Sequence, residues 1–242
     1  MVSHMARHTQ LLVLLCLSIG LGACRSHSAT QEASEPSRAS AARSPATTVR
    51  ELERIEAPTW TLAATERKPI AGDLLVRCEG DIVVDGVIEG RDRPAGDVHP
   101  DGATIRLVSR TRIIVRGTLR AGRGGDAHAG APTVDNCHML GGRGGDVILE
   151  APEVLLVGTA LAGDGGRSGA NAAAPAGGDV VIRGQMLPDS NETRAASAGM
   201  VGGNGGGFLG TPFAGLRADG RGGNGGNVRL ESWDPQHAGF SP

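Results

Sequence analysis

From residue 74 onward the chain alternates apolar and polar positions in a pattern that returns. One unit carries apolar or small residues at Leu74, Val76, Cys78, Ile82, Val84, Gly86 and Ile88. A second carries Ile105, Leu107, Ser109, Ile113, Val115, Gly117 and Leu119, each 31 residues after its counterpart. A third runs Val147, Leu149, Ala151, Val154, Leu156, Gly158 and Ala160, with the bend one residue shorter. A fourth opens with Val180, Ile182 and Gly184 and then loses the pattern, and a fifth opens with Val228, Leu230 and Ser232. Alternation with period two predicts strands that turn one face inward. Two short strands joined at a bend, repeated along the chain, predict successive turns of a β-solenoid that cover one another.

The third site of each unit is small: Cys78, Ser109, Ala151, Gly184, Ser232. These residues are expected to stack at one crowded corner. Glycine clusters fall between units, at Gly141-Gly142-Arg143-Gly144-Gly145, Gly177-Gly178 and Gly222-Gly223-Asn224-Gly225-Gly226. They are expected at tight corners, where glycine tolerates positive φ. Unit starts at Leu74, Ile105, Val147, Val180 and Val228 are unevenly spaced. Uneven spacing disfavours a left-handed hexapeptide coil with its strict short period. In its strand pattern and glycine corners, the region over about residues 72–232 resembles the Gly-rich right-handed parallel β-helix proteins, including pectin-lyase-like and filamentous-haemagglutinin-like domains. The resemblance implies an all-β fold, a short right-handed parallel β-helix of about five rungs, and says little about activity.

The N-terminus reads differently. A short basic opening, Met1 to His8, precedes an apolar run at residues 11–21, which is 11 residues long. A bilayer-spanning helix needs about 20, so the run suits the core of a signal peptide. It ends in Leu21-Gly22-Ala23-Cys24. This tetrapeptide resembles the bacterial lipobox. The resemblance implies cleavage before Cys24, acyl chains such as palmitate on that residue, and anchoring in the cell envelope. Residue 25 is Arg rather than Asp, which favours the outer membrane over the inner.

The expected organisation follows. Residues 1–23 form the signal peptide and 24–56 a lipidated, disordered tether rich in Ser, Ala, Thr and Pro. Residues 49–56 within it are expected to form a short helix. Residues 57–72, with Trp60 and Leu62, form an N-terminal cap segment, 73–233 the β-helix and 234–242 a C-terminal tail.

Composition narrows the function. Net charge is −2, which gives no reason to expect nucleic acid. With 2 Trp, 3 Phe and no Tyr, the chain has too few rings for an aromatic sugar platform. With Cys16 removed with the signal and Cys24 acylated, Cys78 and Cys137 are the cysteines left with free thiols. An oxidising compartment permits a disulfide between them, with the loop of residues 123–144 folding back over two rungs. The alternative is that Cys78 is only a small core residue.

Several motifs invite chemistry. Gly141-Gly142-Arg143-Gly144-Gly145-Asp146-Val147-Ile148-Leu149 matches a calcium-binding nonapeptide, but that motif works in tandem nines and the period here exceeds thirty. Its inward residues should be Val147 and Leu149, with Ile148 outward. The Gly-x-Gly-x-x-Gly matches lack a following helix, so no dinucleotide site is expected. Possible metal ligands sit in three loops: Asp97, His99 and Asp101; Asp126 and His128; Asp135, Cys137 and His138. Scattered residues of this kind are usually solvated. Asp81, Asp85 and Glu89 could serve a lyase with a basic residue nearby, but Arg112, Arg116 and Arg120 stand one unit away, and acid over base on adjacent rungs is a sufficient structural reading. Asn191-Glu192-Thr193 is a sequon without a matching machinery in the bacterial envelope.

The reading is a non-catalytic, membrane-anchored surface or periplasmic lipoprotein with a structural, adhesive or binding role and no cofactor. Its corner loops would meet an envelope polysaccharide or protein. The competing classes are a carbohydrate-active lyase- or hydrolase-like β-helix enzyme and a metal-binding module.

Overall fold

A computed structural model describes residues 51–97, 100–128, 139–169, 172–188, 199–206, 208–209 and 223–236. All of them belong to one unit, Ala46–Pro242. The described residues form strands and connections, with no helix, and every strand pairing is parallel. Parallel pairs need a crossover between partners, and here the repeat supplies it.

The first repeat holds β4 (Asp73–Cys78), β5 (Ile82–Val84) and β6 (Val87–Gly90). The second holds β7 (Ile105–Ser109), β8 (Arg112–Val115) and β9 (Thr118–Arg120). The third holds β10 (Val147–Leu156), whose two halves pair with β7 and β8, and β11 (Thr159–Leu161). Register follows the apolar pattern. Leu74 lies beside Ile105, Ile105 beside Val147, Val147 beside Val180 and Val180 beside Val228. The inward residues of the first three units are almost all fully buried: Val76, Ile82, Val84, Ile88, Ile105, Leu107, Ile113, Val115, Leu119, Val147, Leu149 and Val154 have no exposed surface. Each turn therefore covers the apolar face of the next, which is where the stability of such a stack comes from. Val147 and Leu149 are buried and Ile148 between them is half-buried, in the orientation that the pattern predicts.

The stack is longer than the pattern suggested. The expected helix at residues 49–56 is absent over its described residues: β1 (Leu52–Ala57) is a strand paired with β4. Strand β2 (Trp60–Leu62) pairs with β5, and β3 (Arg67–Ile70) pairs with β6. Residues assigned to tether and cap thus form a further unit in the same register. Tertiary pairing overrides the weak local preference of Leu-Glu-Arg-Ile-Glu. The fourth unit also continues, through β13 (Val180–Met186) and β14 (Gly199–Val201). Strand β16 (Val228–Glu231) pairs with β13, and short β12 (Ser168–Gly169) pairs with β15 (Phe208–Leu209). After β16, Trp233 packs, with Leu75, against Val108 on the outer face.

The small corner is real. Ala57, Cys78 and Ser109 stand side by side. A Cβ on Gly184, at φ 150°, would lie 1.9 Å from the Ala151 carbonyl oxygen. Cys78 is a buried free thiol, and burial pushes its pKa up. Cys137 lies outside the described residues.

The glycine clusters are not tight corners. Among the described glycines only Gly96 and Gly184 have positive φ. The clusters form legs that leave one unit and return to the next, packed backbone on backbone. One line of hydrogen bonds crosses them all: Gly122 N–H donates to Ala103, Gly145 to Gly122, Gly163 to Gly145, Gly178 to Gly163, Gly203 to Gly178 and Gly226 to Gly203, at 2.7–2.9 Å. Outgoing and incoming legs alternate along it. A Cβ on Gly163 would lie 1.8 Å from the Gly122 oxygen. Glycine is required here by close approach, not by dihedral angle.

Candidate functional site

The acidic and basic side chains organise into lines that run along the stack. Asp81, Asp85 and Glu89 of the first repeat meet Arg112, Arg116 and Arg120 of the second, at 2.6, 2.5 and 2.7 Å. Thr111 adds a hydrogen bond to Asp81 at 2.8 Å. The Arg112 guanidinium holds the Asp81 carboxyl below its ordinary value. The lyase candidates are thus spent on one another, as the acid-over-base reading expects.

On the outer face of β10, Glu150 is 1% exposed. Arg106 donates to it at 2.7 Å from one neighbouring strand and Arg183 donates from the other. Arg183 also reaches Glu231 at 2.7 Å. A buried carboxylate is tolerable only with such compensation.

Asp126, a metal-ligand candidate, is 8% exposed and sits in the glycine legs. Burial by itself would raise its carboxyl. Hydrogen bonds from the Arg167 guanidinium and N–H, and from Arg123, outweigh that and hold it below the ordinary range. Its lone pairs are occupied by arginines. His128, nearby in sequence, has a buried Nε2 atom without a hydrogen-bond partner among the described residues. His99 and His138 lie outside the described residues, as do Asp135 and Asn191. Asp97 and Asp101 are described, and Asp101 accepts from the Arg143 N–H at 2.8 Å. Among the described residues no three potential ligands gather.

A feature not read from the sequence is a line of side-chain oxygens that accept backbone N–H groups from the next turn. Asp73 accepts from Thr104, Thr104 from Asp146, Asp146 from Asp179 and Asp179 from Asn227, at 2.7–3.2 Å. Each of these residues immediately precedes the first inward residue of its strand. An oxygen-bearing side chain at that one place in each of the five units visible in the sequence was the available signal; the unit before them has Leu52 there.

Two hollows lie on the flank where the third strands pass into the glycine legs. The larger, about 460 Å³, is lined by Pro69, Ile70, Ala71, Glu89, Gly90, Arg91, Asp92 and Arg120. It exists because the first unit turns from β3 to β4 through Ala71-Gly72 alone, whereas later units send out long legs. The step leaves a mostly apolar wall with Arg91 at its rim. Arg91 is exposed and makes no side-chain ion pair among the described residues. The second, about 230 Å³, shares Arg120 and continues past Leu161 to Val201 and Asn204. Apolar walls with few polar groups are the usual character of ligand sites.

Compared with family models, curated proteins and solved structures, the chain gives no match.

Proposed function

We propose that this chain is the precursor of a lipid-anchored envelope protein that presents a right-handed parallel β-helix on a tether and acts by binding rather than catalysis. The coil would have about six turns, starting at Glu53, Leu74, Ile105, Val147, Val180 and Val228. Right-handedness rests on the strong preference of parallel crossovers for that hand. Export and anchoring rest on the apolar run at residues 11–21 and on Leu21-Gly22-Ala23-Cys24.

The observation that carries the non-catalytic reading is the engagement of Asp81, Asp85 and Glu89 by Arg112, Arg116 and Arg120. A lyase needs carboxylates free for a cation and a base free for a proton. The binding surface in this reading is the flank with the two hollows. Its apolar wall and the Arg91 rim suit a chain-like anionic ligand, such as an acidic envelope polysaccharide, laid along the stack.

The anchor is tested by expressing wild type and Cys24→Ala in a bacterium with radiolabelled palmitate. The reading expects label and membrane association in the wild type only. Equal labelling of both would remove the lipoprotein claim. For the surface, Arg91→Glu should lower retention on acidic polysaccharide without changing the melting temperature.

A further inference from the structure

The two ends of the stack differ. At inward sites, Val180 and Ile182 are fully buried, yet their neighbours in the last strand, Val228 and Leu230, are 43% and 62% exposed. Met186 and Met200, inward on the other faces, are only partly covered. Strand β16 pairs with β13 on one side, and no described strand pairs with its other side. This end is an apolar face bordered by an open strand edge, the usual template for association.

The charges on β16 select the occupant. Outward residues Arg229 and Glu231, which bridge inward along the stack to Asp179 at 3.1 Å and Arg183 at 2.7 Å, flank Leu230 at the open edge. If two copies of β16 pair antiparallel about a two-fold axis through Leu230, Arg229 of each copy stands opposite Glu231 of the other. Leu230 then meets Leu230, and Val228 meets the small Ser232. Shifting the register by one pair in either direction sets Arg229 against Arg229 or Glu231 against Glu231. Head-to-tail stacking of the last turn onto the first fares no better. The register carried through the stack would place Val228 over Glu53, Arg229 over Arg54 and Glu231 over Glu56. Like charges directly opposite are destabilising in a sheet, and opposite charges stabilise.

We propose that the C-terminal end of the stack is a homodimer interface, formed by antiparallel pairing of β16 with β16 of a second copy. A two-fold contact of this kind is closed and does not grow into fibres. It leaves the first turn at the outer end of each copy.

The test uses the full chain, purified in detergent. Sedimentation equilibrium should report twice the protein mass of one chain, independent of further concentration. Leu230→Cys should form a disulfide-linked dimer on mild oxidation, because directly opposed residues place their Cα atoms about 4.5–5.5 Å apart, within disulfide range. Arg229→Glu should raise the dimer dissociation constant at least about tenfold, and the exchange Arg229→Glu with Glu231→Arg should recover most of the loss. Circular dichroism and thermal melts show that each variant is folded. A monomer at all concentrations, assemblies that grow beyond two copies, or an Arg229→Glu variant that dimerises like the wild type would each overturn the proposal.

Discussion

The strand faces and the glycine legs belong to the same turns but are held together by different physics. In the strands, side chains do the work. Inward aliphatics such as Leu107 and Leu149 are fully buried on one another, and outward pairs such as Asp85–Arg116 join adjacent turns. In the legs there are almost no side chains to bury. Backbones approach until only glycine fits, and N–H to carbonyl bonds pass from Ala103 through Gly145 to Gly226. The strands tolerate exchange of one apolar residue for another of similar size. The legs tolerate nothing larger than hydrogen at their contact sites. Parallel strand units can thus be locked by hydrophobic burial along their strands and by backbone packing along the glycine legs.

The largest expected effect is in the strands. Leu149→Asp places a carboxylate where no partner exists and should cost about 4–5 kcal/mol or more, against a typical total of about 5–15. Thermal melts should show the domain unfolded or nearly so. Next comes Gly163→Ala, whose methyl meets the Gly122 carbonyl at 1.8 Å and the Gly145 nitrogen at 2.9 Å. Backbone cannot swing aside as a side chain can, so a loss of about 3 kcal/mol is expected. Gly225→Ala sharpens this contrast: its methyl would come no closer than 3.6 Å. That variant should melt within about 0.5 kcal/mol of the wild type. If the two alanine variants behaved alike, close packing of the legs would not be what holds them.

Acid acts on both regions through Asp81 in the strands and Asp126 in the legs. Both carboxyls lie below their ordinary value in the folded state. Each therefore contributes stability that is fully present above the unfolded value near 4 and is lost as pH falls through the lower folded value. Asp126→Asn should cost about 2 kcal/mol at neutral pH, where two arginines lose their carboxylate. The difference from wild type should shrink below about pH 4. A difference that is constant with pH would show that the carboxylate charge plays no part. The smallest effect is Ile148→Asp, half-buried beside Leu149. It should cost about 1 kcal/mol or less.

Legibility followed the same division. Alternation at Leu74–Val76, Ile105–Leu107 and Val147–Leu149 gave strands, inward face and register, because burial on one face leaves a period-two record. The salt bridges from Asp81 to Arg112 and from Glu89 to Arg120 followed from the same 31-residue offset. The first unit was hidden because Glu53 occupies an inward site and Leu52 an outward one, so β1 breaks the alternation that its neighbours keep. Strand β14 was hidden because Gly-Met-Val is too short to show a period. The glycine runs were visible as clusters, but their cause was not. A run of glycine looks the same whether it serves a dihedral angle or a close approach. Of the candidate site residues, Asp126 is engaged by arginines. The convergence of His128 with His99 or His138 could not be read from spacing, and the latter two fall outside the described residues.

Register is the central claim, and paired cysteines measure it most directly. Glu89 and Arg120 lie directly opposite on β6 and β9. Parallel neighbours are about 4.8 Å apart, inside the disulfide range of about 4.4–6.8 Å. Glu89→Cys with Arg120→Cys should therefore oxidise to an intramolecular disulfide, read as a loss of two hydrogens and one linked peptide pair. Glu89→Cys with Thr118→Cys, two residues out of register, sets the Cα atoms about 8 Å apart and should stay reduced. Efficient bridging of the second pair, with none in the first, would contradict the stacked register on which the whole account rests.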